Sequence, residues 1–115
     1  MYVLFVEEDP TLGGAVRDHL AAHGHAVDWT RDLAGADRAW DATRYDVILL
    51  DVPGRGSLDF IKARRLRGDE TPVIVVTSTD QLAMRIEALH AGADDYLTMP
   101  FDLAALTARL RALVS

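Results

Sequence analysis

Asp46-Val47-Ile48-Leu49-Leu50-Asp51 is the run on which the fold turns. Successive side chains of a strand point to opposite faces, so the consecutive apolar residues Val47 to Leu50 cover both of them. A strand apolar on both faces belongs in a parallel sheet with helices above and below. Upstream, Tyr2 to Val6 reads the same way and is halted by Glu7, Glu8, Asp9 and Pro10. Downstream, Pro72 opens the buried run Val73-Ile74-Val75-Val76, which closes on Thr77 and Ser78. His25 to Thr30 and the pair Tyr96-Leu97 are shorter strand candidates.

Between these runs the apolar residues recur at helical spacing. Leu12, Val16 and Leu20 mark one helix ending near Gly24; Leu33, Ala36 and Trp40 mark the next. Leu58, Ile61 and Leu66 suggest a third, stopped by Gly68, and Leu82, Ile86 and Leu89 a fourth, stopped by Gly92. Leu103, Leu106, Leu110 and Leu113 give the last. Strict alternation of strand and helix implies an α/β, flavodoxin-like (βα)5 doubly wound parallel sheet. Right-handed crossovers favour the strand order 2-1-3-4-5 at this size.

A chain of 115 residues, half of them hydrophobic, builds one globular domain spanning 1–115. It shows no repeat, linker or low-complexity segment. A formal net charge of −6 argues against nucleic acid or anionic membrane as a direct partner. The absence of cysteine excludes disulfides and thiolate metal sites. Neither a membrane span nor a basic signal segment is evident, so the expected location is the cytoplasm.

In a doubly wound sheet, ligands bind at the carboxyl ends of the strands. Glu7, Glu8 and Asp9, then Asp51, then Thr77 and Ser78, then Thr98 and Met99 occupy those ends. They should meet in one acidic crevice, which would repel a phosphate-bearing ligand, and the first βα turn carries no glycine-rich phosphate loop. Carboxylates gathered side by side require protons or a cation, for which a hard divalent ion such as Mg²⁺ is suited. An acid just past a strand is also a common turn or helix-cap residue.

The order and spacing of these residues, together with Gly92-Ala93-Asp94-Asp95-Tyr96-Leu97-Thr98-Met99-Pro100-Phe101, resemble the receiver domain of bacterial response regulators. The last segment looks most like receivers of winged-helix, OmpR/PhoB-type transcription factors. The resemblance implies that Asp51 occupies the phospho-acceptor position and takes a phosphoryl group from a sensor histidine kinase. Glu7, Glu8, Asp51 and the carbonyl of Pro53 would be the metal ligands. Thr77 would bond the phosphoryl group and Tyr96 would be the switch aromatic. A cis Met99–Pro100 bond would turn the chain into the last helix. The resemblance also implies a symmetric homodimer through the fourth helix, fifth strand and fifth helix, with Arg85, Asp94, Asp95, Arg109 and Arg111 on the dimer face. Ala105 and Gln81 stand where the family commonly places an acid and a base.

Three departures bear on that chemistry. Met99 replaces the family lysine; its thioether can fill the space but carries no charge. Glu8 replaces an aspartate, and Mg²⁺ tolerates little displacement of a ligand. The loop from Asp51 through Val52-Pro53-Gly54-Arg55-Gly56 is about two residues short of the family pattern. Arg55 could fold back as a counter-charge or simply be solvated. These features predict weak or absent Mg²⁺ binding and an atypical receiver, scarcely phosphorylated at Asp51. It would control a transcriptional effector by dimerising, with no enzymatic activity beyond self-catalysed phosphorylation and dephosphorylation. An orthodox phospho-acceptor and a flavodoxin-like small-molecule binder are the alternatives, and the domain either stands alone or begins a longer regulator.

Other features carry less. His19 and His23 have metal-binding spacing, but no third ligand accompanies them and the helix face reads as solvated. Trp29 and Trp40 read as packing residues. Thr77-Ser78-Thr79 has no neighbouring base to activate a hydroxyl. The basic run Lys62 to Arg67 reads as a solvated helix face.

Overall fold

The computed structural model describes residues 1–51, 55–77, 82–99 and 101–114, the side chains of residues 55 and 114 excepted. Five strands alternate with five helices: β1 (Tyr2–Glu7), α1 (Pro10–Ala22), β2 (Ala26–Thr30), α2 (Leu33–Ala42), β3 (Val47–Asp51), α3 (Arg55–Leu66), β4 (Val73–Thr77), α4 (Leu82–Ala91), β5 (Asp95–Thr98) and α5 (Leu103–Val114). The strands pair in parallel in the order β2-β1-β3-β4-β5, as the alternation predicts. The Met99–Pro100 bond, the Pro53 carbonyl, Ser78 and Gln81 lie outside the described residues.

Alternation along the strands sorts the core into two layers. Leu4, Val6, Ile48, Leu50, Val73 and Val75 pack with Ala36, Trp40, Ile61 and Ala88 of α2, α3 and α4. Val3, Phe5, Val47, Leu49, Ile74 and Val76 pack with Val16, Leu20, Leu106 and Leu110 of α1 and α5. Consecutive residues thus enter opposite cores, which is why the strands read as unbroken apolar runs. No helix among the described residues is long and apolar enough to cross a membrane.

Two helices depart from their sequence reading. In α4 the large apolar residues Leu82, Ile86 and Leu89 are 68%, 44% and 44% exposed, while the small residues Ala88 and Ala91 are buried. Beneath the helix, Ala88 and Ala91 are buried and Met84 packs partly buried against the same core layer. Leu66, at the end of α3, is 88% exposed. The basic run of α3 is not simply a solvated face. Arg64 is 3% exposed, pairs with Asp37 and Asp41 at 2.8 and 2.7 Å, and has its guanidinium 4.6 Å from the Trp40 ring centre. The planar guanidinium can stack and bond at once, which a lysine could not do.

Trp29 packs on α1 where Gly13 leaves room. A Cβ at Gly13 would stand 2.1 Å from Trp29 Cζ2, so any larger residue must displace the indole. Gly13→Ala is therefore expected to destabilise the fold by about 1–3 kcal/mol, even though alanine favours the helix by up to about 1 kcal/mol. A urea midpoint equal to or above that of the parent protein would contradict this packing.

Candidate functional site: an acidic cleft at the carboxyl edge of the sheet

Parallel pairing of β1 with β3 places Glu7 opposite Asp51, and pairing of β4 with β5 places Thr77 opposite Thr98. Glu7, Glu8, Asp9, Leu12, Asp51, Thr77 and Met99 line one cleft there. Residues singled out after β1, β3, β4 and β5 thus converge, but Thr98 is not among the lining residues and its hydroxyl is buried without a hydrogen-bond partner among the described residues. No lysine or arginine is among the described residues that line the cleft, and the Arg55 side chain lies outside them. Lys62, the chain's single lysine, lies instead between α3 and α4 with Glu87 and His90.

The acids differ sharply in their surroundings. Glu7 is only 3% exposed. Its Oε2 accepts a hydrogen bond from the Asp9 amide (3.1 Å), but its Oε1 is buried without a donor. Asp51 is half-buried beside it. Burial, then the hydrogen bond with Glu7, then the charges of Glu7, Glu8 and Asp9 push the Asp51 carboxyl up to about 8. Two carboxyls can hydrogen-bond to each other only if one holds a proton, so at neutral pH this pair keeps a proton or recruits a cation. Asp9 caps α1, accepting from the Thr11 and Leu12 amides at 2.9 and 3.3 Å. The Glu8 side chain is exposed.

The donor chemistry fits Mg²⁺, since the candidate ligands Glu7, Glu8 and Asp51 offer carboxylate oxygens and Glu7 Oε1 lacks a partner among the described residues. Among the described residues, however, no three acids or histidines stand close enough together to hold an ion. Glu7 and Asp51 are therefore the residues that fit the ion best, and Glu8 does not complete a set of three.

Met99 packs against the α1/α5 core layer while lining the cleft, and its amide donates to the Thr77 carbonyl (2.7 Å). Thr77 lines the cleft, and Tyr96 is buried with the Arg85 guanidinium 5.4 Å from its ring centre. The expected dimer-face residues do not all share one surface. Arg109 Nη1 donates to both Asp95 oxygens (2.7 and 2.9 Å). Asp94 turns towards α3 and β4, accepting from Arg65 (3.1 Å) and the Val73 amide (2.8 Å). Arg111 lies with His19, His23 and Thr107 in a cleft between α1 and α5.

Two residues that sequence reasoning missed hold the acidic turn. Trp29 Nε1 donates to the Glu7 carbonyl (2.9 Å), and the Arg31 guanidinium donates twice to the Glu8 carbonyl (3.1 and 2.8 Å). The only signal in the chain was their place at the end of β2, beside β1.

A doubly wound sheet carrying an acidic pair, a third acid and a hydroxyl at its carboxyl edge defines a class of signalling domain. The family model for the response regulator receiver domain matches residues 3–111. The response regulator PmrA of Pseudomonas aeruginosa is 42% identical over 115 residues, covering 98% of this chain and 52% of that protein. The transcriptional regulatory protein QseB of Escherichia coli O157:H7 is 38% identical over 117 residues, covering 99% and 53%. Among solved structures, a Francisella response regulator receiver domain superposes with a TM-score of 0.92 at 29% identity, covering 98% of this chain and 95% of that one. The BeF3-activated receiver of Klebsiella pneumoniae RstA gives 0.87 at 31%, covering 99% and 98%. The chain belongs to the response regulator receiver family, and its close relatives are OmpR/PhoB-type regulators. It spans about half the length of the curated relatives it matches.

Proposed function

We propose that this is an atypical receiver that controls a transcriptional effector through dimerisation, with little or no phosphorylation at Asp51. The observation that carries the reading is Met99: a neutral thioether lines the acidic cleft where the family places a cation. In the orthodox reaction the Asp51 carboxylate attacks the phosphorus of a phospho-histidine on a sensor kinase, and the histidine leaves. When bound, Mg²⁺ supplies the positive charge that this transfer needs. Here burial and the neighbouring acids favour the protonated form of Asp51, and a protonated carboxyl is a poor nucleophile. Glu8, exposed and one methylene longer than aspartate, does not compensate. Mg²⁺ is accordingly expected to bind weakly or not at all.

The test is incubation with acetyl phosphate and Mg²⁺, followed by intact-mass measurement. The unmodified protein should show slow, substoichiometric labelling that Asp51→Asn abolishes. Rapid stoichiometric labelling at Asp51 would establish the second reading, an orthodox phospho-acceptor. That reading is favoured by the Glu7–Asp51 juxtaposition and by Thr77 in the same cleft.

The dimer would use the exposed apolar face of α4, Leu82, Ile86 and Leu89, with ion pairs from β5 and α5. Arg109 and Asp95 are paired within the subunit, so dimerisation would exchange this contact for the same pair across the two-fold axis. Arg109→Glu and Asp95→Arg should each favour monomer in sedimentation equilibrium. Mixing the two variants should partly restore dimer, because only a pair between subunits can be rebuilt by mixing. An exposed pair contributes at most about 1 kcal/mol, so the shift should be several-fold in Kd. A parent protein that stays monomeric at high micromolar concentration would exclude this mode for the domain.

A further inference from the structure

His19 and His23 lie one helical turn apart at the end of α1, and their ring centres are 4.3 Å apart with the planes tilted by 39°. The face is not simply solvated: His19 is half-buried, and both residues line a cleft between α1 and α5 with Thr107 and Arg111. The hydrogen bonds fix the tautomers. The Thr107 hydroxyl donates to the Leu103 carbonyl (3.1 Å), so in its contact with His19 Nε2 (3.3 Å) it must accept. His23 Nδ1 lies 2.9 Å from the His19 carbonyl, which can only accept. Each neutral ring therefore carries its proton on the nitrogen already engaged, leaving His19 Nδ1 and His23 Nε2 as lone-pair donors. A protein oxygen holding the far N–H of an imidazole is the pattern found behind metal-bound histidines.

We propose that His19 and His23 form a two-imidazole site for a borderline divalent transition ion, Cu²⁺, Ni²⁺ or Zn²⁺. Two imidazoles on one tetrahedral ion at about 2.0–2.1 Å place their ring centres about 5 Å apart, within about 1 Å of the separation between these two rings. Water completes the coordination. His25 is not a third ligand: the Met1 ammonium donates to its Nδ1 (3.2 Å), so the neutral ring carries its proton on Nε2, which is buried. Arg111 in the same cleft repels the ion and limits its affinity. Nitrogen donors distinguish this site from the all-oxygen cleft around Asp51, which suits Mg²⁺. The bound ion would tie the last turn of α1 to its cap, on the side of the sheet that also carries α5.

Titration of the ¹⁵N-labelled protein with ZnCl₂, NiCl₂ and CuSO₄ near pH 7, with calorimetry in parallel, tests the site. The expected result is micromolar binding, tightest for Cu²⁺, with the imidazole signals of His19 and His23 perturbed first. His19→Gln and His23→Gln should each weaken binding by roughly tenfold or more, and Thr107→Val by a comparable factor through loss of the supporting contact. Arg111→Gln should tighten it. The imidazole signals of the parent protein report the site directly, so a variant that unfolds leaves the test intact. Affinity no better than millimolar, or binding unaltered in both histidine variants, would overturn the proposal. Perturbation of His90 or the acidic cleft alone would do the same.

Discussion

Met99→Lys is expected to raise the initial rate of Asp51 phosphorylation by acetyl phosphate roughly tenfold or more, the scale on which a preorganised charge or donor acts on developing negative charge. The substitution should be structurally mild. The lysine stem can follow the path of the methionine side chain against the α1/α5 layer while its ammonium reaches the cleft beside Asp51 and Thr77. There it would favour the ionised form of Asp51 and so restore the nucleophile, besides pairing with the phosphoryl oxygens. Intact-mass time courses with Mg²⁺ present measure both rate and extent. A rate unchanged from that of the parent protein would mean that the missing cation is not the main defect. Adding Glu8→Asp to the variant would then ask whether metal geometry is.

Asp51→Asn should stabilise the metal-free domain at neutral pH by about 1–3 kcal/mol, a figure discounted for the partial solvent access of the group. The Asp51 carboxyl is raised to about 8, principally by burial and by Glu7. A carboxyl whose value is higher folded than unfolded holds its proton in the fold while the unfolded chain has released it. Between about 4 and about 8 the folded state therefore binds more protons, and stability falls as the pH rises through that window. The amide cannot ionise and offers N–H donors to the Glu7 oxygen that lacks one. His25 works in the opposite direction: burial, the N-terminal ammonium and Arg111 lower it, so its contribution is lost as pH falls below its ordinary value. That contribution is common to both proteins and cancels in their difference. Urea unfolding at pH 5 and pH 8 should show the advantage of the variant widening with pH. A constant or narrowing difference would refute the proton-sharing pair.

Much of the fold was legible because its signals are local. Val47 to Leu50 and Val73 to Val76 announce buried parallel strands wherever they sit, and Gly24, Gly68 and Gly92 take the positive φ that closes α1, α3 and α4. The site was legible at the level of elements, since alternation puts Glu7, Asp51, Thr77 and Met99 at the same edge of the sheet. The partners of those residues were not. That Asp9 caps a helix while Glu7 is buried against Asp51 depends on where each side chain points after β1 ends.

The alternation of strand and helix, the acidic edge and the absence of a lysine beside it are properties of the chain alone, because period and composition do not depend on distant contacts. Tertiary structure alone decided which face each helix buries and which charges neutralise one another. The same apolar spacing in α4 served an exposed face, because the helix turns Ala88, Ala91 and part of Met84 to the core instead. Arg64 left the solvated side of α3 because Asp37, Asp41 and the Trp40 ring met it there. Arg109 closed on Asp95 within one subunit, and Asp94 turned to Arg65, residues 14 and 29 positions apart. Desolvation and Coulomb energy depend on the distances between side chains remote in sequence, and these exist only once the sheet has assembled.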